Sequence, residues 1–438
     1  MNTVVIAVLV MLVLSLARMN VVLALLLGAL AGGLSSDLGL IGSVTAFSHG
    51  IGNGASIALS YAMLGAFAMG ISQSGIPGYL AQKIINIVQR SQKRRDLVRL
   101  SILLAIVLMA VASQNLIPVH IAFIPILIPP LLGLFNNIQL DRRLIACCLT
   151  FGLTATYMLL PIGFGNIFLI EILTKNLNDN GLNIAGSLMP QAMMIPVSGM
   201  LLGLLVAVFW TYRKPRRYRE ESLSSADNTE IVMPRAKLIG VGLAILLTLI
   251  AQISSGSMII GALVGCLTLT LSGVIVWSES NDVFIQGMKM MAYAGFIMIA
   301  AAGFSEVLRE THAVSEMVTS IGPLLAENKA VGIMLMLLIG LLVTMGIGSS
   351  FSTVPVIATL YVPLGMEMGL SALAIAALVG TAGALGDAGS PASESTIGPT
   401  AGLNMDSQHD HIRDSVIPTF IHFNIPLVLF GWIAVMVL

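Results

Sequence analysis

Apolar runs long enough to cross a membrane recur along almost the whole chain, and they limit the possible folds more than any other feature. Of the 438 residues, 57% are hydrophobic and only 10% are charged. A soluble domain carries roughly a quarter charged residues, so this chain has too little polar surface to face water on all sides. The runs do not alternate apolar with polar residues, as the strands of a transmembrane β-barrel would. The sequence therefore predicts an all-α, multi-pass membrane protein.

The runs predict about 10–14 membrane segments, since one span needs about 20 residues. They lie at about 2–17, 20–34, 56–73, 99–112, 116–135, 144–170, 187–212, 238–253, 256–276, 288–304, 330–347, 350–365, 371–400 and 415–438. We divide the chain into a first transmembrane repeat (1–212), a cytoplasmic linker (213–237) and a second transmembrane repeat (238–438). The charge-free tracts 100–140 and 330–366 are too long for one helix. Each is expected to hold two passages or a re-entrant hairpin, broken at prolines: Pro118, Pro125, Pro129, Pro130, Pro355 and Pro363.

The two halves resemble each other in sequence order. "GALAGGL" at 28–34 matches "GALVGCL" at 261–267, and at nearly the same offset the two charge-free tracts coincide. A shift of 230 residues places Pro161 on Pro391 and Tyr157 on Asp387. Ordered matches at one offset predict a duplicated unit.

Charge suggests that the two repeats are inverted. The loop 83–99 is rich in Lys and Arg, whereas its counterpart 306–329 is mostly acidic. Since basic loops stay in the cytoplasm, opposite charge in counterpart loops is what an inverted repeat should show. The basic linker is expected in the cytoplasm as well. The acidic 404–414 loop should lie on the same side, although its charge does not fit the rule.

Polar residues interrupt the apolar sequence in "GALGDAGSPASESTIGPTAGLN", residues 383–404. Asp387 and Glu394 are seven residues apart with Pro391 between them, so a broken helix is expected. A carboxylate at membrane depth is costly and usually marks an ion or proton pathway. We take Asp387 as the best candidate for a Na⁺ ligand, with a structural cap as the alternative; for Glu394 the alternative is an interfacial position.

Segments 113–130, 154–166, 346–363 and 384–399 are expected to be broken passages, because irregular backbone in a bilayer must lie inside protein or beside water. Their hydroxyl and amide groups suit a binding site at the membrane midplane. The candidates are Ser349, Ser350, Ser352 and Thr353 in "GIGSSFST", Gln114 and Asn115 in "SQNLIPVH", and Tyr157 at the position matched to Asp387. Hydrogen bonding between helices is the alternative for each hydroxyl.

The remaining motifs say less about function. "HDH" at 409–411 has no further ligands in the sequence and is expected in a solvated loop, and His422 and Asn424 are candidates for hydrogen bonds between helices. The chain has no G-x-x-x-x-G-K-[ST] stretch that would bind ATP. No nucleophile–His–acid arrangement stands out. We expect neither an enzyme nor a cofactor beyond Na⁺ or H⁺, and no nucleic-acid partner.

"GDAGSPASEST" at 386–396 resembles the Gly-Asp-(His/Ala)-x-Ser-Pro-x-Ser-(Asp/Glu)-(Ser/Thr)-Thr motif of NhaC-type sodium/proton antiporters. The longer C-terminal run resembles their YuiF-type branch, described as amino-acid-transporter-related. The resemblance implies the ion-transporter superfamily, whose fold has two inverted repeats, each with a re-entrant hairpin and a broken helix. That fold is often dimeric, so a homodimer is possible. By position in the motif it marks Asp387, Ser390, Ser393, Glu394 and Thr396 as cation or substrate contacts.

Two functions stay open. In the first, Na⁺ or H⁺ drives the movement of a small solute, with an amino acid favoured, across the inner (plasma) membrane. In the second, Asp387 alternates between Na⁺ and H⁺, and no organic substrate moves. Ala388 stands where these antiporters often have His, and "GIGSSFST" departs from their Gly-Thr-Ser-Trp-Gly-Thr run. These departures and the many hydroxyls favour the first function; a channel or scaffold explains the polar breaks poorly.

Overall fold

The computed structural model describes residues 2–17, 19–76, 79, 95–115, 120–162, 164–219, 234–255, 257–313, 316, 328–348 and 350–438. All regular structure in these ranges is helical. The first half contains α1 (Thr3–Leu16), α2 (Val21–Leu34), α3 (Gly39–Gln73), α4 (Arg95–Asn115), α5 (His120–Asn137), α6 (Arg142–Leu159), α7 (Phe164–Asp179) and α8 (Gly186–Thr211). The second contains α9 (Arg235–Ser255), α10 (Met258–Leu271), α11 (Ser280–Glu310), α12 (Lys329–Ile347), α13 (Ser350–Glu367), α14 (Ala372–Ala384), α15 (Glu394–Leu403) and α16 (His411–Val437).

Many of these helices have the length and composition of membrane spans. Among the described residues, six helices are long and apolar enough to cross a membrane, or seven if the bent pair α6–α7 counts as one span. Five further apolar helices are shorter. Each predicted apolar segment coincides with one of the helices, wholly or in part. The prediction of an all-α, multi-pass membrane protein is confirmed.

Two helices are much longer than hydropathy predicted. Helix α3 begins at residue 39 rather than 56, and α11 begins at 280 rather than 288. The turns of α3 that hydropathy did not predict, residues 39–55, contain glycine, serine and histidine. The small residues of α3 pack against α11. A Cβ atom on Gly50 would lie 2.5 Å from the carbonyl oxygen of Ala302, and one on Gly65 would lie 2.4 Å from that of Gly287. Close helix packing through small residues, typical of membranes, compensates for low hydropathy.

These contacts also give the direction of the pair. As residue numbers rise along α3 they fall along α11, so the two helices are antiparallel. Helices α8 and α16 pair in the same way: Gly199 contacts Phe430, and Gly203 contacts the backbone of His422. Helix α2 packs on α11 while α10 packs on α3. Antiparallel pairing of matched helices is what a two-fold axis in the membrane plane would produce. Superposition of 28–212 on 261–438 is the direct test of the inverted repeat, which stays a prediction.

The outer ends of the two expected hairpins, α4–α5 and α12–α13, lie at opposite ends of α16. In α4, Arg99 donates to the carbonyl oxygens of Tyr212 and Arg213, both at 2.6 Å. Just after α5, the carbonyl oxygen of Gln139 accepts from the Arg216 amide. This linker segment also contacts the first turn of α16, through an ion pair of Arg216 with Asp414 at 2.9 Å. The outer ends of α4 and α5 therefore lie beside the linker.

The outer ends of α12 and α13 lie at the other end of α16. The Trp432 indole donates to the Ala330 carbonyl oxygen at 2.8 Å, and Ser371, which follows α13, donates to that of Leu438 at 2.8 Å. Since α16 has 27 residues, its ends are about 40 Å apart at 1.5 Å per residue. Two hairpins that enter from opposite membrane faces would have their outer ends at opposite ends of α16 in this way.

The prediction that prolines break the two charge-free tracts is wrong for the described residues. Helix α5 continues through Pro125, Pro129 and Pro130, and α13 through Pro355 and Pro363; Pro118 lies outside the described residues. Membrane helices tolerate proline because neighbouring groups satisfy the backbone. The second tract turns instead at Gly348, whose φ of +72° ends α12 in the left-handed conformation that glycine adopts without strain.

The charges of the acidic 404–414 loop are paired with basic residues of the linker side. Asp406 binds Arg142, and Asp414 binds Arg216. The loop and linker residues 213–219 therefore lie on one side of the protein, as expected. Linker residues 220–233 and most of the loops 83–99 and 306–329 lie outside the described residues.

Candidate functional site

The polar stretch 383–404 is a broken helix buried in the protein. Helix α14 ends at Ala384 and α15 begins at Glu394, and every residue of the break, 385–393, is buried. Ser393 caps α15 by accepting a hydrogen bond from the Ser395 amide at 3.1 Å. A capped helix start with Pro391 in the preceding turn explains why this apolar chain leaves the helix here.

Glycines let the break pack between α12 and α16. A Cβ atom on Gly386 would lie 2.5 Å from the Met345 amide nitrogen of α12, and one on Gly389 would lie 2.7 Å from the Cα atom of Phe420 in α16. Gly348, where α12 turns, would meet Ala392 at 2.8 Å in the same way. The turn of the second hairpin therefore sits directly on the break.

Asp387 is held in the break by hydroxyl groups from three parts of the chain. The Tyr157 hydroxyl, near the end of α6, donates to Oδ2 at 2.6 Å. Ser393 donates to Oδ1, and the hydroxyls of Ser350 and Ser395 each lie 3.5 Å from a carboxylate oxygen. Asp387 is only 8% exposed. Charge-assisted hydrogen bonds of this kind offset part of the cost of removing a carboxylate from water.

Tyr157 and Asp387 are the positions that the 230-residue offset matches, and in the structure they touch. Tyr157 is fully buried, with its ring packed edge-on against Phe168 at 4.8 Å between centroids. Matched residues meet when they lie close to the axis relating two repeats. Helices α6 and α15 touch again where Thr150 donates to the Ser395 carbonyl oxygen at 2.7 Å.

Ser390 and Thr396 donate to the main chain of the break and of α12. Ser390 donates to the Met345 carbonyl oxygen at 3.0 Å, and Thr396 lies 2.7 Å from that of Ser390 and 3.0 Å from that of Ser393. These contacts fix the shape of the break around Asp387. The hydroxyl oxygens keep lone pairs, so the contacts leave room for a role in cation binding.

The other candidates lie at different distances from solvent, and some lie outside the described residues. Glu394 is half-buried at the first position of α15, where the helix dipole favours a carboxylate. Thr353 is fully buried in α13. Gln114 is buried near the end of α4, and its Oε1 atom has no partner among the described residues. Ser349 and the side chains of Ser352 and Asn115 lie outside what the structure describes.

The expectation of a solvated loop at "HDH" is wrong. His409 is only 2% exposed, and its Nε2 atom lies 2.8 Å from the Ser415 hydroxyl. His411 bridges Thr400 and the Pro391 carbonyl oxygen, both at 2.8 Å. Burial lowers the pKa of His409 to about 4. The two histidines thus support the break from the linker side. Nothing in the sequence near "HDH" indicates this role.

Sequence reasoning also missed a buried ion pair. Arg142, at the start of α6, is fully buried and donates to both carboxylate oxygens of Asp406, at 2.6 and 2.5 Å. The same guanidinium donates to the Leu403 carbonyl oxygen at 3.0 Å. It holds the pKa of Asp406 below its usual range. The pair ties the last turn of α15 to the first turn of α6.

In the π-helical turn 420–424 of the C-terminal helix α16, one polar residue is paired and another is not, among the residues that the structure describes. His422 contacts the Thr211 hydroxyl at 2.9 Å, so the expected hydrogen bond between helices is confirmed for this residue. Asn424 is fully buried, and neither polar atom of its side chain has a partner among the described residues. Both residues belong to a π-helical turn, 420–424. Such turns occur often at functional sites.

Comparison with known proteins gives consistent matches. The model of the "Na+/H+ antiporter family" matches residues 148–432, and a second model, "Na+-H+ antiporter family", matches residues 2–88. An uncharacterized membrane protein of Vibrio parahaemolyticus is 56% identical over the full length of both chains. YuiF of Bacillus subtilis, described provisionally as an amino acid transporter, is 49% identical, again over both full lengths.

One solved structure among the matches is the YdaH transporter of Alcanivorax borkumensis. It is 15% identical with a TM-score of 0.45, over 92% of this chain and 89% of that one. The match covers most of both chains but is distant in both sequence and geometry.

Proposed function

This chain belongs to the Na⁺/H⁺ antiporter family and is a secondary transporter, and we propose that it uses Na⁺ or H⁺ to drive a small solute, an amino acid, across the membrane. The observation that carries the proposal is Asp387: a buried carboxylate in a broken helix, bound by Tyr157 and Ser393. A carboxylate in such a place persists when it gains a cation or a proton as partner.

The residues around the break have separate roles in this mechanism. Asp387 binds the cation, with hydroxyl and backbone carbonyl oxygens of the break as further ligands, since Na⁺ is a hard ion that takes oxygen. Tyr157 and Ser393 orient the carboxylate. The start of α15 has a positive dipole end, which suits the carboxylate of an amino acid.

Tyr157 belongs to the first repeat and Asp387 to the second, so movement of one repeat against the other would open or close their contact. Ser350 of the hairpin lies within 3.5 Å of both Asp387 and the Tyr157 hydroxyl. A cation bound at Asp387 would therefore change the contacts of α6, of the hairpin and of the break at the same time. This links occupation of the site to the relative position of the repeats, which alternating access requires.

A second function, Na⁺/H⁺ exchange without an organic substrate, is favoured by the family description itself. It needs only that Asp387 binds Na⁺ and H⁺ in turn. The description of the Bacillus subtilis relative as an amino acid transporter favours the first function. The two functions differ in whether an amino acid moves.

Transport by the purified protein in liposomes separates the two. Uptake of each common L-amino acid is measured under an imposed Na⁺ gradient, under an imposed pH gradient and with neither. Our proposal predicts gradient-dependent uptake of at least one amino acid. If no amino acid moves, but an outward Na⁺ gradient acidifies the lumen because Na⁺ leaves as H⁺ enters, exchange without an organic substrate is the function.

A further inference from the structure

The side chain of Asn424 lies against the break that carries Asp387. A Cβ atom added to Gly389 would lie 3.0 Å from its Nδ2 atom, and Gly389 is two residues from Asp387. Asn424 is fully buried at the end of the π-helical turn 420–424. Because Gly389 has no side chain, the carboxamide reaches the main chain of the break directly.

Within the described part of the chain, the Asn424 carboxamide lacks the hydrogen bonds that buried polar side chains normally make. A carboxamide has two N–H donors and an oxygen that accepts, and the large majority of buried side-chain polar atoms have a partner. Neither Nδ2 nor Oδ1 of Asn424 has one among the described residues. The same turn is not generally short of partners, because His422 contacts both Thr211 and the Pro418 carbonyl oxygen. The fold thus buries the Asn424 amide at the break, and no hydrogen bond of the amide to the described residues offsets the free-energy cost of removing it from water.

The chemistry of the unpaired amide limits what it could bind. Na⁺ would satisfy Oδ1 only and would leave the N–H donors unpaired. A ligand that satisfies both atoms must donate one hydrogen bond and accept another from neighbouring positions. The ammonium and carboxylate groups of an α-amino acid are such a pair, since both are attached to one carbon atom.

We propose that the Asn424 carboxamide binds the amino acid substrate, with Oδ1 accepting from the ammonium group and Nδ2 donating to the carboxylate. This inference rests on the proposed function, in which an amino acid moves. It adds a residue of α16 to the substrate site, next to the break that holds the cation.

The test compares Asn424→Leu with Thr381→Val. Thr381 is a matched control: it is fully buried, its hydroxyl has no partner among the described residues, and it faces Gly431 of α16 rather than the break. Removing an unpaired buried polar group should not destabilise the protein, so both variants should melt at or above the wild-type temperature. Only Asn424→Leu should raise the KM for the best L-amino acid, by at least about tenfold, because a site built for hydrogen bonds loses them.

A second variant, Asn424→Asp, keeps the size of the side chain and guards against misfolding of the leucine variant. It retains an acceptor for the ammonium but repels the carboxylate. The KM for the amino acid should rise, while the KM for the matching amine without a carboxylate should rise less or fall.

The outcomes distinguish this inference from the proposed function. If the wild-type protein moves no amino acid, the proposed function fails and this inference with it. If the wild type transports an amino acid and Asn424→Leu has the same KM, the inference alone is wrong. An equal rise in KM for Thr381→Val, or a change only in Na⁺ dependence, would also overturn it.

Discussion

Replacing Tyr157 by phenylalanine removes one hydroxyl from the site and changes little else. The hydroxyl donates to Asp387 at 2.6 Å, and the ring is fully buried between Phe164 and Phe168. A phenylalanine ring keeps this packing and leaves no cavity of a size that matters. The change therefore isolates one hydrogen bond to the carboxylate that we propose binds the coupling cation.

The expected loss follows from the strength of that bond. A hydrogen bond to a charged group contributes about 1.5–3 kcal/mol, which corresponds to roughly a 10- to 150-fold change in affinity. Ser350 lies 3.5 Å from the same carboxylate oxygen and can move closer to replace part of the bond. We therefore expect the lower end, about a tenfold change in the cation concentration that gives half-maximal transport.

The assay is the initial rate of transport in proteoliposomes as a function of Na⁺ concentration at several pH values. Tyr361→Phe is the control, because Tyr361 is also fully buried and donates at 2.6 Å, but to the neutral Met336 carbonyl oxygen. The control should lose some thermal stability and keep its cation dependence. Equal cation dependence in wild type and Tyr157→Phe, or an equal change in both variants, would refute the reasoning.

Two further predictions concern residues that support the site, and a third concerns the topology. Arg142→Met should lower stability by about 3–5 kcal/mol, since it leaves the buried Asp406 unpaired, and adding Asp406→Leu should restore most of the melting temperature. Burial lowers the pKa of His409 to about 4, so the folded protein resists protonation and loses stability as pH falls from about 6.5 towards 4; melting temperatures of His409→Gln should depend less on pH in this range. Ser225→Cys should react with a membrane-impermeant thiol reagent from the cytoplasmic side only, and labelling from outside intact cells would reverse the proposed topology.

The helices and the position of the break follow from composition and spacing. The buried position of Asp387 could be predicted, because a carboxylate that faces lipid is costly; its role as a cation ligand stays a prediction. Its contact with Tyr157 follows the offset between the halves, although no local pattern marks Tyr157. The early start of α3 could not be predicted from hydropathy, because its glycines matter only when α11 is packed against them.

The residues that support the break from the linker side could not be predicted from the sequence for a different reason. Arg142 and Asp406 are 264 residues apart, and each taken alone resembles an ordinary charge of a membrane loop. His409 looked solvated because no further metal ligands accompany "HDH" in the sequence, whereas the fold buries it against Ser415. Asn424 resembles any polar residue of a membrane helix until its lack of partners among the described residues is known. Pairing between distant segments is set by the tertiary fold, and one sequence does not reveal it.

The central claim is that the carboxylate of Asp387 couples the cation to transport, and Asp387→Asn tests it most directly. Asparagine keeps the size of the side chain and an oxygen that accepts hydrogen bonds from Tyr157 or Ser393, so the protein should fold and melt normally. Cation-driven transport in proteoliposomes should be abolished, and Asp387→Glu should retain part of it with a shifted ion dependence. Transport by Asp387→Asn at the wild-type rate, with unchanged Na⁺ and pH dependence, would show that Asp387 is a structural cap and that the cation binds elsewhere.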